Sequence, residues 1–145
     1  MVTEQEMMDI IYSRIHNVKD YEISIGTDSQ SYENVNLIIV VCAYIVGKGG
    51  FYFYKTINTK RFPSLRDKIN TETTESIKVG TFVKEYMESK GLDTDKLYLD
   101  SDIGKNGPTK ELINSIVGWI VGMGFNCRIK PEGYAACRIA DRHSK

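Results

Sequence analysis

The chain has 145 residues, with 19 basic and 19 acidic side chains balancing to zero net charge. That length suits a single domain able to bury roughly two-thirds of its unfolded surface, and the neutrality excludes the overall basic footprint of a strong nucleic-acid binder. The opening MVTEQEMMDI has acids where a signal peptide carries positive charge, and no apolar run nears the roughly 18 residues of a membrane span. The expectation is a cytoplasmic protein with one domain over 1–145, divided into an N-terminal helix in 1–20 and a core over 21–145. Cys42, Cys127 and Cys137 are odd in number and form no CxxC or Cys/His cluster, so they read as structural thiols rather than a disulfide framework or a zinc site.

Thr3 followed by Glu6 forms a capping box, and Met7, Ile11, Ile15 and Val18 then recur at helical spacing. YEISIGTDSQS alternates as a strand, with Ile23, Ile25 and Thr27 on one face and Ser24, Gly26 and Asp28 on the other. VNLIIVVCAYIV is β-branched and apolar on both phases, which predicts an interior strand. A turn at Gly47, Gly49 and Gly50 leads to a third strand, FYFYKTI, and these three strands should form an antiparallel meander.

Pro63, Ser64 and Asp67 mark the start of a long helix reaching about Gly91. Ile69, Ser76, Gly80, Val83 and Met87 share its buried stripe; Glu72 falls inside that stripe and Glu75 near its edge. KLYLDSD is a fourth strand, with Leu97 and Leu99 on one face and Tyr98, Asp100 and Asp102 on the other. After the turn GKNG, Pro108 is expected to open the helix TKELINSIVGWIVGMG, closed by Gly124, within which Gly118 and Gly122 suit close helix packing. Phe125, Cys127 and Ile129 alternate as a fifth strand, and YAACRIADR reads as a last short helix.

Three antiparallel strands followed by right-handed crossovers give an α/β fold with a mixed five-stranded sheet, three strands antiparallel and then two parallel, flanked by helices. The first and fourth strands can then lie side by side, so their carboxyl ends, carrying Asp28 and Asp102, meet at a switch point of the kind where open α/β sheets bind ligands. If the long helix covers the Ser24 and Gly26 face, Ser76 and Gly80 approach those residues and Glu72 is drawn toward both aspartates, while the last helix can add Asp141. Carboxylates gathered this closely repel unless cations intervene, and oxygen donors without His or Cys favour Mg²⁺ or Mn²⁺. Each acid also has a structural alternative: Asp28 starting a turn, Glu72 paired with a core lysine, Asp141 on the surface.

Basic residues cluster at 55–68 (Lys55, Lys60, Arg61, Arg66, Lys68) and at 128–145 (Arg128, Lys130, Arg138, Arg142, Lys145), as either a solvated surface or a phosphate-facing rim. The GKNG turn, with Lys105, is either structural or a phosphate contact at a helix start.

Four stretches resemble the YkuK-like family of the ribonuclease H-like superfamily: IGTDSQ, LRDKINTETTESI, DIGKNGPTKELINSIVGWIVGMGF and IKPEGYAACRIADRHSK. The resemblance implies a ribonuclease H-like sheet and, by analogy with active members of the superfamily, a nuclease using two Mg²⁺ or Mn²⁺ ions on RNA, DNA or a hybrid. Asp28, Glu72, Asp102 and Asp141 would be its catalytic ligands, and Lys60, Arg61, Arg66, Lys105 and Lys130 would contact substrate. The alternative is a catalytically weak module of the same fold that binds nucleic acid or a protein partner. Asp100 stands where the family pattern often carries His, as a further candidate metal ligand or a crowding charge.

Overall fold

Thr3 Oγ1 accepts a hydrogen bond from the Glu6 amide at 3.0 Å, and the Glu6 carboxylate accepts from the Thr3 amide at 3.4 Å, which closes the capping box at the head of α1, Glu4–Ile15. Its apolar stripe buries Met7, Met8, Ile11 and Ile15. The structure is a computed structural model that describes residues 2–29, 35–59 and 62–130, with the backbone alone at Asp28 and Val35.

β1 (Tyr21–Ser29), β2 (Val35–Ile45) and β3 (Gly49–Thr59) form the expected antiparallel meander. Gly47 and Gly49 turn the β2–β3 connection with φ of +82° and +91°, angles that carry no penalty in a residue without a Cβ. β3 runs longer than its apolar core FYFYKTI because β2 offers it an unbroken register, from Val35 opposite Thr59 to Ile45 opposite Gly49. β4 (Leu97–Gly104) pairs parallel to β1, and β5 (Asn126–Lys130) parallel to β4, so the sheet order is β3-β2-β1-β4-β5. This is the mixed sheet the sequence implies.

α2, Leu65–Ser89, is capped by Ser64, whose hydroxyl accepts from the Asp67 amide at 3.2 Å. Its small residues suggest that it covers the Ser24 and Gly26 face, but it does not. α1, α2 and α3 (Ile113–Gly122) all pack on the opposite face, over Ile23, Ile25, Ile39, Val41, Ala43, Leu97, Leu99 and Ile103. Apolar area decides this: Ile23, Ile25, Leu97 and Leu99 offer an amphipathic helix far more to bury than Ser24, Gly26 and Asp100. Gly80 accordingly meets the side chains of Leu99 and Phe125, whose nearest atoms would stand 3.1 and 3.2 Å from an added Cβ.

α3 also begins later than expected. Pro108 stands in a turn, a 3-10 segment spans Lys110–Leu112, and the α-helix starts at Ile113. The reason lies in Thr109, whose hydroxyl accepts from the Gly104 amide at 3.2 Å instead of capping the helix. The helix ends as expected near Gly124, with φ +92° and the Phe125 amide bonded back to the Ile120 carbonyl. Among the described residues Gly118 and Gly122 do not serve close packing, since both are exposed and no described atom lies within 4 Å of a Cβ at either. The helix expected in YAACRIADR lies outside the described residues. Among the described residues no helix is long and apolar enough to cross a membrane.

The two kinds of glycine separate in a denaturation experiment. Gly80→Val should destabilise by about 1–3 kcal/mol through overpacking against Leu99, whereas Gly118→Ala should stabilise by roughly 0.5–1 kcal/mol through helix propensity. Urea unfolding midpoints at constant m-value measure both.

Candidate functional site

The parallel pairing of β1 and β4 runs from Ile23 opposite Leu97 to Gly26 opposite Asp100. The pairing ends there, two residues before Asp28 on β1 and before Asp102 on β4. On its other side the Asp28 backbone is the partner of Ile38 on β2. The carboxyl ends of the two strands therefore come together.

Glu72 reaches this end of the sheet from α2. Ser29, the residue after Asp28, donates its hydroxyl to Glu72 Oε2 at 2.9 Å, and Thr27 donates to the Glu72 carbonyl oxygen at 3.4 Å. Glu72 is only 3% exposed, and Lys68, one turn earlier on α2, stands 3.3 Å from the same Oε2. A carboxylate buried this deeply needs such compensation. Asp102 sits at the less covered end of β4, ion-paired with Lys130 of β5.

Glu72 thus arrives from the helix side, whereas Asp102 shares the strand phase of Tyr98 and Asp100. Among the described residues no group of three or more His, Cys, Asp or Glu is close enough to hold a metal ion. Asp141 lies outside the described residues. As chemistry the donor set fits a hard cation, being carboxylate oxygen without histidine or thiolate, and each of the two described acids has its charge met by a lysine.

Asp100 faces a different partner. Both its oxygens are engaged by Arg128 of β5, Nε at 2.7 Å and a terminal nitrogen at 3.2 Å, while the other terminal nitrogen reaches Glu22 of β1 at 3.0 Å. The guanidinium also lies 4.2 Å from the centroid of the Tyr98 ring. Arg128 therefore ties β5, β4 and β1 together on the face away from the helices, and it engages each Asp100 oxygen once. Phase reveals this bridge: Arg128 and Asp100 stand on parallel neighbouring strands, on the side opposite their apolar residues. Burial pushes the Asp100 carboxyl up to about 6, against the downward pull of Arg128. Burial likewise holds the Cys127 thiol at about 11 and raises that of Cys42, so both remain protonated and unreactive.

The basic run over 55–68 divides. Lys55 stands 3.9 Å from Glu4 and Lys68 turns to Glu72, whereas Arg66 is exposed on the first turn of α2. Lys105 is exposed just beyond β4. Lys60 and Arg61 lie outside the described residues.

A central β1 with antiparallel neighbours on one side and parallel ones on the other, and acids where β1 and β4 end together, defines the ribonuclease H-like class. The chain belongs to this family: the family model described as "Ribonuclease H-like" matches residues 5–145. It is similar to "Uncharacterized protein YkuK" of Bacillus subtilis (strain 168), 34% identical over 139 residues covering 86% of this chain and 80% of that protein. No solved structure matches.

The Arg128 bridge has a stability signature. Asp100→Ala strands a buried guanidinium and should cost about 3–5 kcal/mol, while Asp100→Leu combined with Arg128→Met should be close to neutral, because the desolvation penalty leaves with both charges. A double-mutant cycle in chemical denaturation measures the difference.

Proposed function

We propose that the chain is a Mg²⁺- or Mn²⁺-dependent phosphodiesterase that hydrolyses RNA, DNA or their hybrid, with Asp28, Glu72, Asp102 and Asp141 as its metal ligands. The observation that carries this reading is the Ser29 to Glu72 hydrogen bond of 2.9 Å, which fastens a buried glutamate of α2 to the residue after Asp28, on the strand that pairs in parallel with the one bearing Asp102. Membership of the ribonuclease H-like family supports it. When bound, a pair of divalent ions activates a water and stabilises the leaving oxygen.

The chain's own residues supply orientation and charge. Ser29 hydrogen-bonds Glu72, and Lys68 and Lys130 place positive charge against Glu72 and Asp102. Arg66 and Lys105 contribute positive charge next to these acids along the chain; with Lys60, Arg61 and Lys130 they would position phosphates. Those same lysine pairs favour a second reading, in which Glu72 and Asp102 are spent on internal ion pairs and the domain binds nucleic acid or a protein partner without turnover.

A cleavage screen over single strands, duplexes, hybrids and branched junctions, with Mg²⁺, Mn²⁺ or EDTA, separates the two readings. Metal-dependent cleavage is expected for at least one polymer; binding in EDTA without cleavage in either metal selects the second reading. Asp28→Asn should abolish cleavage while melting no lower than wild type, since the amide keeps the shape and removes a repelling charge. Glu75→Gln is the control, because Glu75 pairs only with the exposed Lys78 at 3.0 Å. Full activity in Asp28→Asn would remove it from the ligand set.

Metal and salt provide two further readouts. Millimolar Mg²⁺ or Mn²⁺ should raise the melting temperature by mass action on the folded state, which differential scanning fluorimetry reports. Replacing Lys60, Arg61 and Arg66 together by Ala should lower the slope of log affinity against log salt by up to roughly three units, if each contacts one phosphate. An unchanged slope returns them to the solvated surface.

A further inference from the structure

β3 is the outermost strand on its side of the sheet, and no described strand lies beyond it. Edge strands are ordinarily blunted by proline, a bulge, short length or several charges. Among the described residues β3 has none of these protections. It is 11 residues long, which at about 3.4 Å per residue gives ~37 Å of edge. Its sequence GGFYFYKTINT lacks proline, its register with β2 is unbroken, and its one charge, Lys55, is close to Glu4.

The flanking side chains suit the addition of another strand. Tyr52 and Tyr54 are 40% and 49% exposed on the face away from the helices, with ring centroids 6.3 Å apart. On the helix side, Phe53 borders an apolar cleft under the start of α1, lined also by Val2, Met7, Ile39, Val41 and Val79. Added strands are held by main-chain hydrogen bonds and by pockets for alternate side chains, and this edge offers both.

We propose that β3 pairs antiparallel with β3 of a second copy of this chain, joining the two sheets into one across a two-fold axis perpendicular to them. Such an axis reverses strand direction but keeps both helix layers on one side, so the Phe53 row meets its own copy and the Tyr52 and Tyr54 row meets its own. A pairing centred near Tyr54 brings Glu4 of each copy toward Lys55 of the other. Both side chains are nearly half exposed, so they can exchange partners across the axis. The charges are thus complementary under this symmetry.

The other sheet edge fits less well. β5 is five residues long, its register with β4 shifts between Asp100 and Gly104, and it carries the engaged cations Arg128 and Lys130. Pairing β3 with β5 would also be head-to-tail and would not close, whereas β3 with β3 uses the edge beyond which no described strand lies, in a closed dimer.

Sedimentation velocity of the full chain from low micromolar to several hundred micromolar, with amide hydrogen exchange over the same range, tests the inference. The expected result is a monomer–dimer equilibrium in which the amides of β3 become more protected as concentration rises. Tyr54→Lys puts like charges at the axis and should weaken the dimer by at least about tenfold while the circular dichroism spectrum of the monomer keeps its wild-type form. Lys55→Glu should also weaken it, and adding Glu4→Lys should restore it. A monomer at every concentration overturns the proposal, as does a dimer whose β3 exchange ignores concentration or which persists unchanged in both Tyr54→Lys and Lys55→Glu.

Discussion

Four rungs join β1 to β4, from Ile23 opposite Leu97 to Gly26 opposite Asp100, and most of the molecule's organisation hangs on them. On its other side β1 is bound antiparallel to β2 along its whole length, so it is the one strand where the two directions of the sheet meet. A parallel neighbour requires a long crossover, and that crossover is what sends the chain through α2. The same pairing puts the carboxyl ends of two acid-bearing strands together. Without it β4, which carries Asp102, would not lie beside β1.

The sheet's two faces solve different problems. One is apolar and takes every described helix, forming a continuous core from Met8 of α1 to Ile120 of α3. The other holds charge away from water, in the arrangement of Glu22, Arg128 and Asp100 with Tyr98 stacked against the guanidinium. A buried arrangement of this kind adds little net stability, since desolvation offsets much of the attraction. It does fix which strand lies beside which, because the guanidinium fork can satisfy both carboxylates only when β5, β4 and β1 stand in this order.

The strand order and the capping box of α1 were legible because they depend on local pattern: alternation along single strands and a Thr3 to Glu6 spacing that few other structures produce. Glu72 was legible as a buried acid for the same reason. Which face α2 would cover was not, since that depends on comparing the apolar area of two whole faces, and the small residues Ser76 and Gly80 pointed to Ser24 and Gly26 as well as to Leu99. The later start of α3 was hidden because Thr109 has two possible uses, and only the folded chain shows its hydroxyl taken by Gly104. The engagement of Asp100 required knowing that β5 runs beside β4 in phase with it, a long-range fact that composition cannot supply.

Gly80 connects packing to chemistry in one more way. α2 is a stiff rod of helix resting on Leu99 and Phe125 at this residue, and Glu72 lies eight residues toward its head, roughly 12 Å along the axis. The glycine therefore acts as a fulcrum: a larger side chain there would tilt the rod and lift its leading end from β1 by some fraction of an ångström. Hydrogen bonds tolerate little such stretching, and the contact from Ser29 would be among the first to loosen. The size of a residue with no functional group of its own thus governs the reach of the glutamate.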